Sequence, residues 1–318
     1  MVGRKHRVRR LLFFFLGVLA LVLTTQAASV AAEKIEPLFL YKLSDFEGIV
    51  PFSGVKMFSD VVFNEMYVLD GGTIRIYNQA GMEVYRFNDD GSLGNLYGCV
   101  VDKDGNIIAL AYDQSQYFLI RCNYRGDLAA RLELKNIPSD VQAGFRPTFL
   151  AYREGHLYLA DSGSMTVLVT DEQGVFEQSI DLLDATGLPK TRRGSTDMMG
   201  FSVNREGSIF FTIPTEFCAY RRSPNGEVTS YCQRGSAAGK FNVAAGIVSD
   251  DSGYIYVSDK LKSSVLIFDN NFKFLRQLGY RGYGPYGMII PEEMAVLGNK
   301  LYVSQGAEQG VSVFSITH

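Results

Sequence analysis

A chain of 318 residues that is 47% hydrophobic can bury a sizeable core, and it is long for one domain unless it is built from repeats. Setting residues 1–32 aside removes five Lys/Arg and no acid, so the formal charge moves from −3 to −8, with 26 basic against 34 acidic side chains. An acidic chain of this kind lacks the phosphate-neutralising charge on which nucleic-acid binding rests. With three histidines and no C-x-x-C-H, it also lacks the means for haem attachment, a His-rich zinc site or a His-based triad.

The first predicted element is a targeting segment. A basic stretch, RKHRVRR (4–10), precedes the apolar run LLFFFLGVLALVL (11–23) and small residues ending in Val30-Ala31-Ala32. This order reads as a secretory signal cleaved before Glu33, which makes residues 1–32 a signal peptide and the protein exported, periplasmic or extracellular. The apolar run is shorter than the roughly 20 residues that a spanning helix needs, so no membrane span is expected after cleavage. Retention as an anchor is the alternative. No cysteine stands at the cleavage point to carry a lipid.

A stranded run, EPLFLYKL (36–43), follows without an adjacent partner, and after it one phrase recurs six times. Its clearest part is a strand that reads MYVLD (66–70), IIALA (107–111), LYLAD (157–161), IFFTI (209–213), IYVSD (255–259) and LYVSQ (301–305). Turns such as KDGN (103–106), REGH (153–156), REGS (205–208) and DSGY (251–254) precede these strands, with residues that tolerate a tight hairpin. Outer hairpins follow, among them TVLVTDEQGVFEQSI (166–180) and SVLIFDNNFKFLRQL (264–278). The strand starts lie 41, 50, 52, 46 and 46 residues apart, which suits a unit of four strands.

The fold class expected is therefore all-β: a six-bladed β-propeller of four-stranded antiparallel blades. The last unit supplies only three strands, MAVLG (294–298), KLYVS (300–304) and GVSVFSI (310–316), so residues 36–43 are predicted to complete it and close the ring. The domain on this reading runs over 33–318.

GYIYVSDKLKSSVLIFDNNFKFLRQLG (253–279), with GKFNVAAGIVSDDSG (239–253) before it and LGYRGYGPYGMIIPEEMAV (278–296) after it, resembles the NHL repeat of secreted bacterial propellers. The family pattern is a glycine-rich segment with an aromatic, then P-x-G-[IV]-A-V-D, then G-x-[IL]-Y-V-x-D, then an exposed strand ending in D-x-x-G. Blades five and six match it; the first four match in outline. The resemblance implies a non-enzymatic binding or scaffold protein that engages a protein or peptide, of the kind that accompanies envelope or multihaem cytochrome assembly. It requires no cofactor.

Four cysteines in an exported chain call for a test of pairing. In FCAYRRSPNGEVTSYC, a three-residue turn at Pro224-Asn225-Gly226 sets Cys218 opposite Cys232, within reach of a disulfide. Cys99 and Cys122 fall two strands apart, roughly 9.6 Å, and are expected to be buried and unpaired.

GYGPYG (282–287) matches G-x-G-x-x-G, but Pro285 and the strands that follow deny it the helix a dinucleotide site needs, so it reads as the crossover between blades five and six. It belongs to a set of long loops that share one face. These present Phe145 and Arg146 in 135–147, Lys190, Arg192 and Arg193 in 181–200, and Tyr280, Arg281, Tyr283 and Tyr286 in 279–287. Tyrosines and arginines on an acidic protein make the composition of a partner-binding rim. The alternative is a metal-dependent hydrolase or lyase, since similar six-bladed propellers include lactonases and amidating lyases; its ligands would be Asp197, Glu292 and Glu293.

Overall fold

The computed structural model describes residues 35–88, 90–114 and 116–317; the expected signal peptide lies outside them. Within the unit Pro37–Ile316, six four-stranded antiparallel sheets form a six-bladed propeller. Blades one to five occupy 56–87, 95–132, 149–181, 200–232 and 244–278, each in simple chain order from the channel outward. Blade six takes Pro291–Leu297, Lys300–Gln305 and Val311–Ser315 and receives Leu38–Lys42 as its outermost strand.

The repeated strand of the sequence is the second strand of every blade. Nearly all its residues are buried, as in Ile255–Asp259 and Ile209–Ile213, because both faces of a blade are covered by its neighbours. Cores form between blades: Tyr67, Leu69 and Ile74 of blade one pack with Cys99, Ile107 and Ala109 of blade two, and the same sharing recurs around the ring. Cys99 and Cys122 are both buried in the first of these cores as free thiols. Cys218 and Cys232 are bonded, directly opposed in register with Cα atoms 4.2 Å apart.

An Asp or Asn recurs at the hairpins because its side chain replaces backbone pairing there. Asp250 Oδ1 accepts from the N–H groups of Ser252 and Tyr254 at 3.0 and 2.9 Å; Asp102, Asn204, Asn78, Asn123, Asp171 and Asp269 each repeat the arrangement. The third residue onward has positive φ and is glycine, as at Gly253, except in the last of these turns. There Phe272 takes φ 58°, and its ring is buried in the core between blades four and five.

Near the axis the blades meet backbone to backbone. Thr212 Oγ1 accepts from Gly200 N at 2.9 Å within blade four and donates to Ala245 O of blade five at 2.5 Å. Ser258 Oγ in turn donates to Glu292 O of blade six at 2.6 Å. A Cβ on Gly200 or Gly246 would collide with those same two carbonyls, so the glycines are required by clearance and not by φ.

The ring closes as the strand count demands. Leu38–Lys42 pairs antiparallel with Val311–Ser315, Phe39 packs edge-on against Phe314 at 5.8 Å, and Lys42 Nζ donates to Gln309 O at 2.7 Å. Deleting residues 33–43 should therefore lower the melting temperature by on the order of 10 °C or abolish the cooperative melt. Gly246→Ala should cost about 1–3 kcal/mol in a denaturant titration, since the Glu292 carbonyl must move to admit the methyl group.

Candidate functional site

Strand register defines one level of inner-strand residues around the channel. Opposite the fourth residue of each recurring strand stretch, MYVLD to LYVSQ, stand Lys56, Gly98, Phe149 and Gly200 in blades one to four, while bulges in blades five and six set Ala245-Gly246 and Glu292-Glu293 there. Glycine at three of the six leaves room that the others use. Lys56 reaches past blade two to donate from Nζ to Thr148 O and to lie 4.5 Å from the centre of the Phe149 ring in blade three.

Between blades four, five, six and one this level opens into a recess of about 280 Å³. Lys56, Lys260, Glu292 and Glu293 line it, Ala245 and Gly246 contribute a wall with little side chain, and Val55 and Met199 add apolar surface. Lys260 follows the second strand of blade five and pairs with Glu292 at 2.8 Å. Burial pushes the Glu293 carboxyl up to about 7; Lys56 and Lys260 oppose the shift and Glu292 adds to it. Burial also lowers Lys56, against the attraction of Glu293.

Of the residues expected to form a metal site, Glu292 and Glu293 are thus brought together in the channel, while Asp197 is exposed and lies outside the recess. Their surroundings do not suit a divalent ion. One carboxylate is committed to Lys260, the other faces Lys56, and among the described residues no three His, Cys, Asp or Glu side chains gather in one place.

Antiparallel alternation puts the recess on the same face as the long loops. On that face Tyr280 and Tyr283 are 54% and 76% exposed, with Arg281 exposed between them. Tyr286 is turned to the closing strand, where its hydroxyl accepts from Phe39 N at 3.3 Å and its ring lies 6.1 Å from Phe314. Phe145 packs against the core between blades two and three, whereas Arg146 is exposed. Lys190 pairs with Asp184 at 3.5 Å and Arg193 with Asp181 and Ser164 O, which ties the 181–200 loop to its start and to blade three, while Arg192 pairs with Glu216 of blade four.

Two features of this face are absent from the sequence reading. The residue ending the second strand clamps the loop that leads into its own blade: Asp161 Oδ2 accepts from Arg146 N at 2.8 Å, Asp259 Oδ2 from Asn242 N at 2.6 Å, and Gln305 Oε1 from Ile289 N at 2.8 Å. The polar residue that closes the otherwise apolar second strand, as in LYLAD, IYVSD and LYVSQ, was the available signal. Tyr97, Tyr112 and Tyr117 also gather on blade two, with ring centres 4.7–6.2 Å apart. They come from three strands and had no local pattern to give them away.

No protein-family model matches the chain, and no curated protein matches it in sequence. Solved structures do. The virginiamycin B lyase of Staphylococcus aureus, crystallised with quinupristin, superposes with a TM-score of 0.55 at 12% identity, covering 89% of this chain and 99% of that one. A gluconolactonase from Xanthomonas campestris gives 0.55 at 14% identity over 92% and 94% of the two chains. The calcium-binding protein regucalcin from Agrobacterium tumefaciens gives 0.55 at 15% identity over 87% and 95%. What is shared is the propeller. At such identities the likeness is one of fold, and site chemistry must be read from this chain's own residues.

Glu293 carries a pH signature. Its folded pKa of about 7 lies above its ordinary 4.5, so the folded state holds the extra proton and its favourable contribution is complete below pH 4.5 and lost as pH rises to 7. Relative to Glu293→Gln, the wild-type protein should lose on the order of 3 kcal/mol across that window, measured by denaturant titration at a series of pH values.

Proposed function

We propose that this is an exported, non-enzymatic propeller that binds a protein or peptide partner through the loops on the recess-bearing face. The observation that carries the reading is the pair of exposed tyrosines, Tyr280 and Tyr283, flanking the exposed Arg281 on a crossover whose ends are anchored by short parallel pairing of Tyr280–Arg281 with Gly287–Met288. Large aromatic and guanidinium surface on a fixed loop is what binding hot spots use, because little side-chain freedom is lost on contact. Arg146, held in place through its backbone by Asp161, and the tyrosine cluster of blade two extend the same face.

The Cys218–Cys232 bond is compatible with the oxidising compartment that the N-terminal segment implies. The NHL resemblance of blades five and six points in the same direction, toward a partner in envelope or multihaem cytochrome assembly. A metal-dependent hydrolase or lyase is the competing function. It is favoured by the position of Glu292 and Glu293 in the channel and disfavoured by the lysines that face them.

Crosslinking capture from the native envelope tests the binding reading. A Tyr280→Ala/Tyr283→Ala double variant should lose capture of its partner at an unchanged melting temperature, and capture equal to wild type would exclude this rim. A melt raised by several degrees on adding calcium or zinc, and not in Glu292→Gln/Glu293→Gln, would favour the hydrolase instead.

A further inference from the structure

Two opposite charges line the channel recess without neutralising each other. Lys56 and Glu293 occupy matched positions on neighbouring inner strands, and each is the other's strongest electrostatic partner, yet no ion pair joins them. Lys56 is drawn toward blade three, where Thr148 O takes one of its three N–H donors and the Phe149 ring takes part of its charge. Glu293 hydrogen-bonds through its backbone alone: its N–H donates to Ser304 Oγ at 3.0 Å, and its C=O accepts from the same hydroxyl at 3.2 Å. No donor among the described residues reaches its carboxylate. Glu292 and Lys260, a few ångströms along the same wall, show the contrast, since they satisfy each other at 2.8 Å.

A carboxyl group that no protein donor reaches and a lysine that no carboxylate pairs line one recess, and together they are complementary to a molecule that carries both charges. We propose that the recess is a binding site for a small zwitterion of the α-amino acid class, its ammonium on Glu293 and its carboxylate on Lys56. The charge count selects this class. With Glu293 ionised on binding, two acids and two bases leave the recess neutral, and a ligand that carries both charges keeps it so. Volume sets the size: about 280 Å³ lies at the small end of ligand sites, which suits a free amino acid and not a peptide. Gly246 and Ala245 leave the wall open to the ligand's backbone, while Val55 and Met199 offer contact to a short aliphatic side chain.

The inference does not depend on the rim reading, because it is tested on the purified protein without any macromolecular partner. Calorimetric titration of the intact wild-type protein with L-alanine and L-methionine should give saturable binding. L-alanine methyl ester, which lacks the carboxylate, and N-acetyl-L-alanine, which lacks the ammonium, should each bind on the order of tenfold or more weakly. Glu293→Gln and Lys56→Met, each checked for a native melt, should lose the amino acids to the same degree. The analogue series needs no substitution, so it decides the matter even where a variant does not fold. Equal binding of the ester or the N-acetyl compound would overturn the proposal, as would no heat from either amino acid with a folded protein. D-glucose binding in place of the amino acids would overturn it in favour of an uncharged polyol site.

Discussion

The close approach of inner strands at the propeller axis is the constraint on which the rest of this molecule depends. Six sheets radiating from one line have least room at their innermost strands, and at blades four to six the clearance falls to backbone against backbone. Gly200 and Gly246 make that contact sterically possible, and the hydroxyls of Thr212 and Ser258 turn it into cohesion by donating to the carbonyls of the next blade. Each hydroxyl donates to a carbonyl of the next blade, so the crowding also accounts for polar side chains on strands that are otherwise apolar.

Where the constraint is relaxed, chemistry enters. Blades one and six carry Lys56 and Glu293 where blades two, four and five carry glycine, and these long side chains line a recess whose wall the glycine of blade five leaves bare. The same departure from repeat regularity draws both charges partly out of water, and that partial burial moves Glu293 up and Lys56 down. In this channel two lysines oppose two glutamates.

Much of the architecture was legible because it repeats. A buried second strand is apolar at nearly every position, a hairpin announces itself by Asp or Asn followed by glycine, and a missing fourth strand can be matched to an orphan such as residues 36–43. Cys218 and Cys232 were readable for the same reason: a short turn sets register locally, and register sets distance. The rim was legible as a set of loops but not in its details. Tyr286 resembles Tyr283 in sequence, yet one hydroxyl accepts from Phe39 N, contributed by a strand 247 residues away, while the other ring stands in solvent.

From its sequence alone, this chain was bound to six four-stranded units, a closing N-terminal strand, one cross-strand disulfide and a face of long loops, because each follows from periodicity or from turns a few residues long. The encounter of Lys56 with Glu293 and of Lys260 with Glu292 waited for the blades to meet at the axis. Those groups lie tens to hundreds of residues apart along the chain, and only the convergence of six blades on one axis brings them within reach of a common cavity or face.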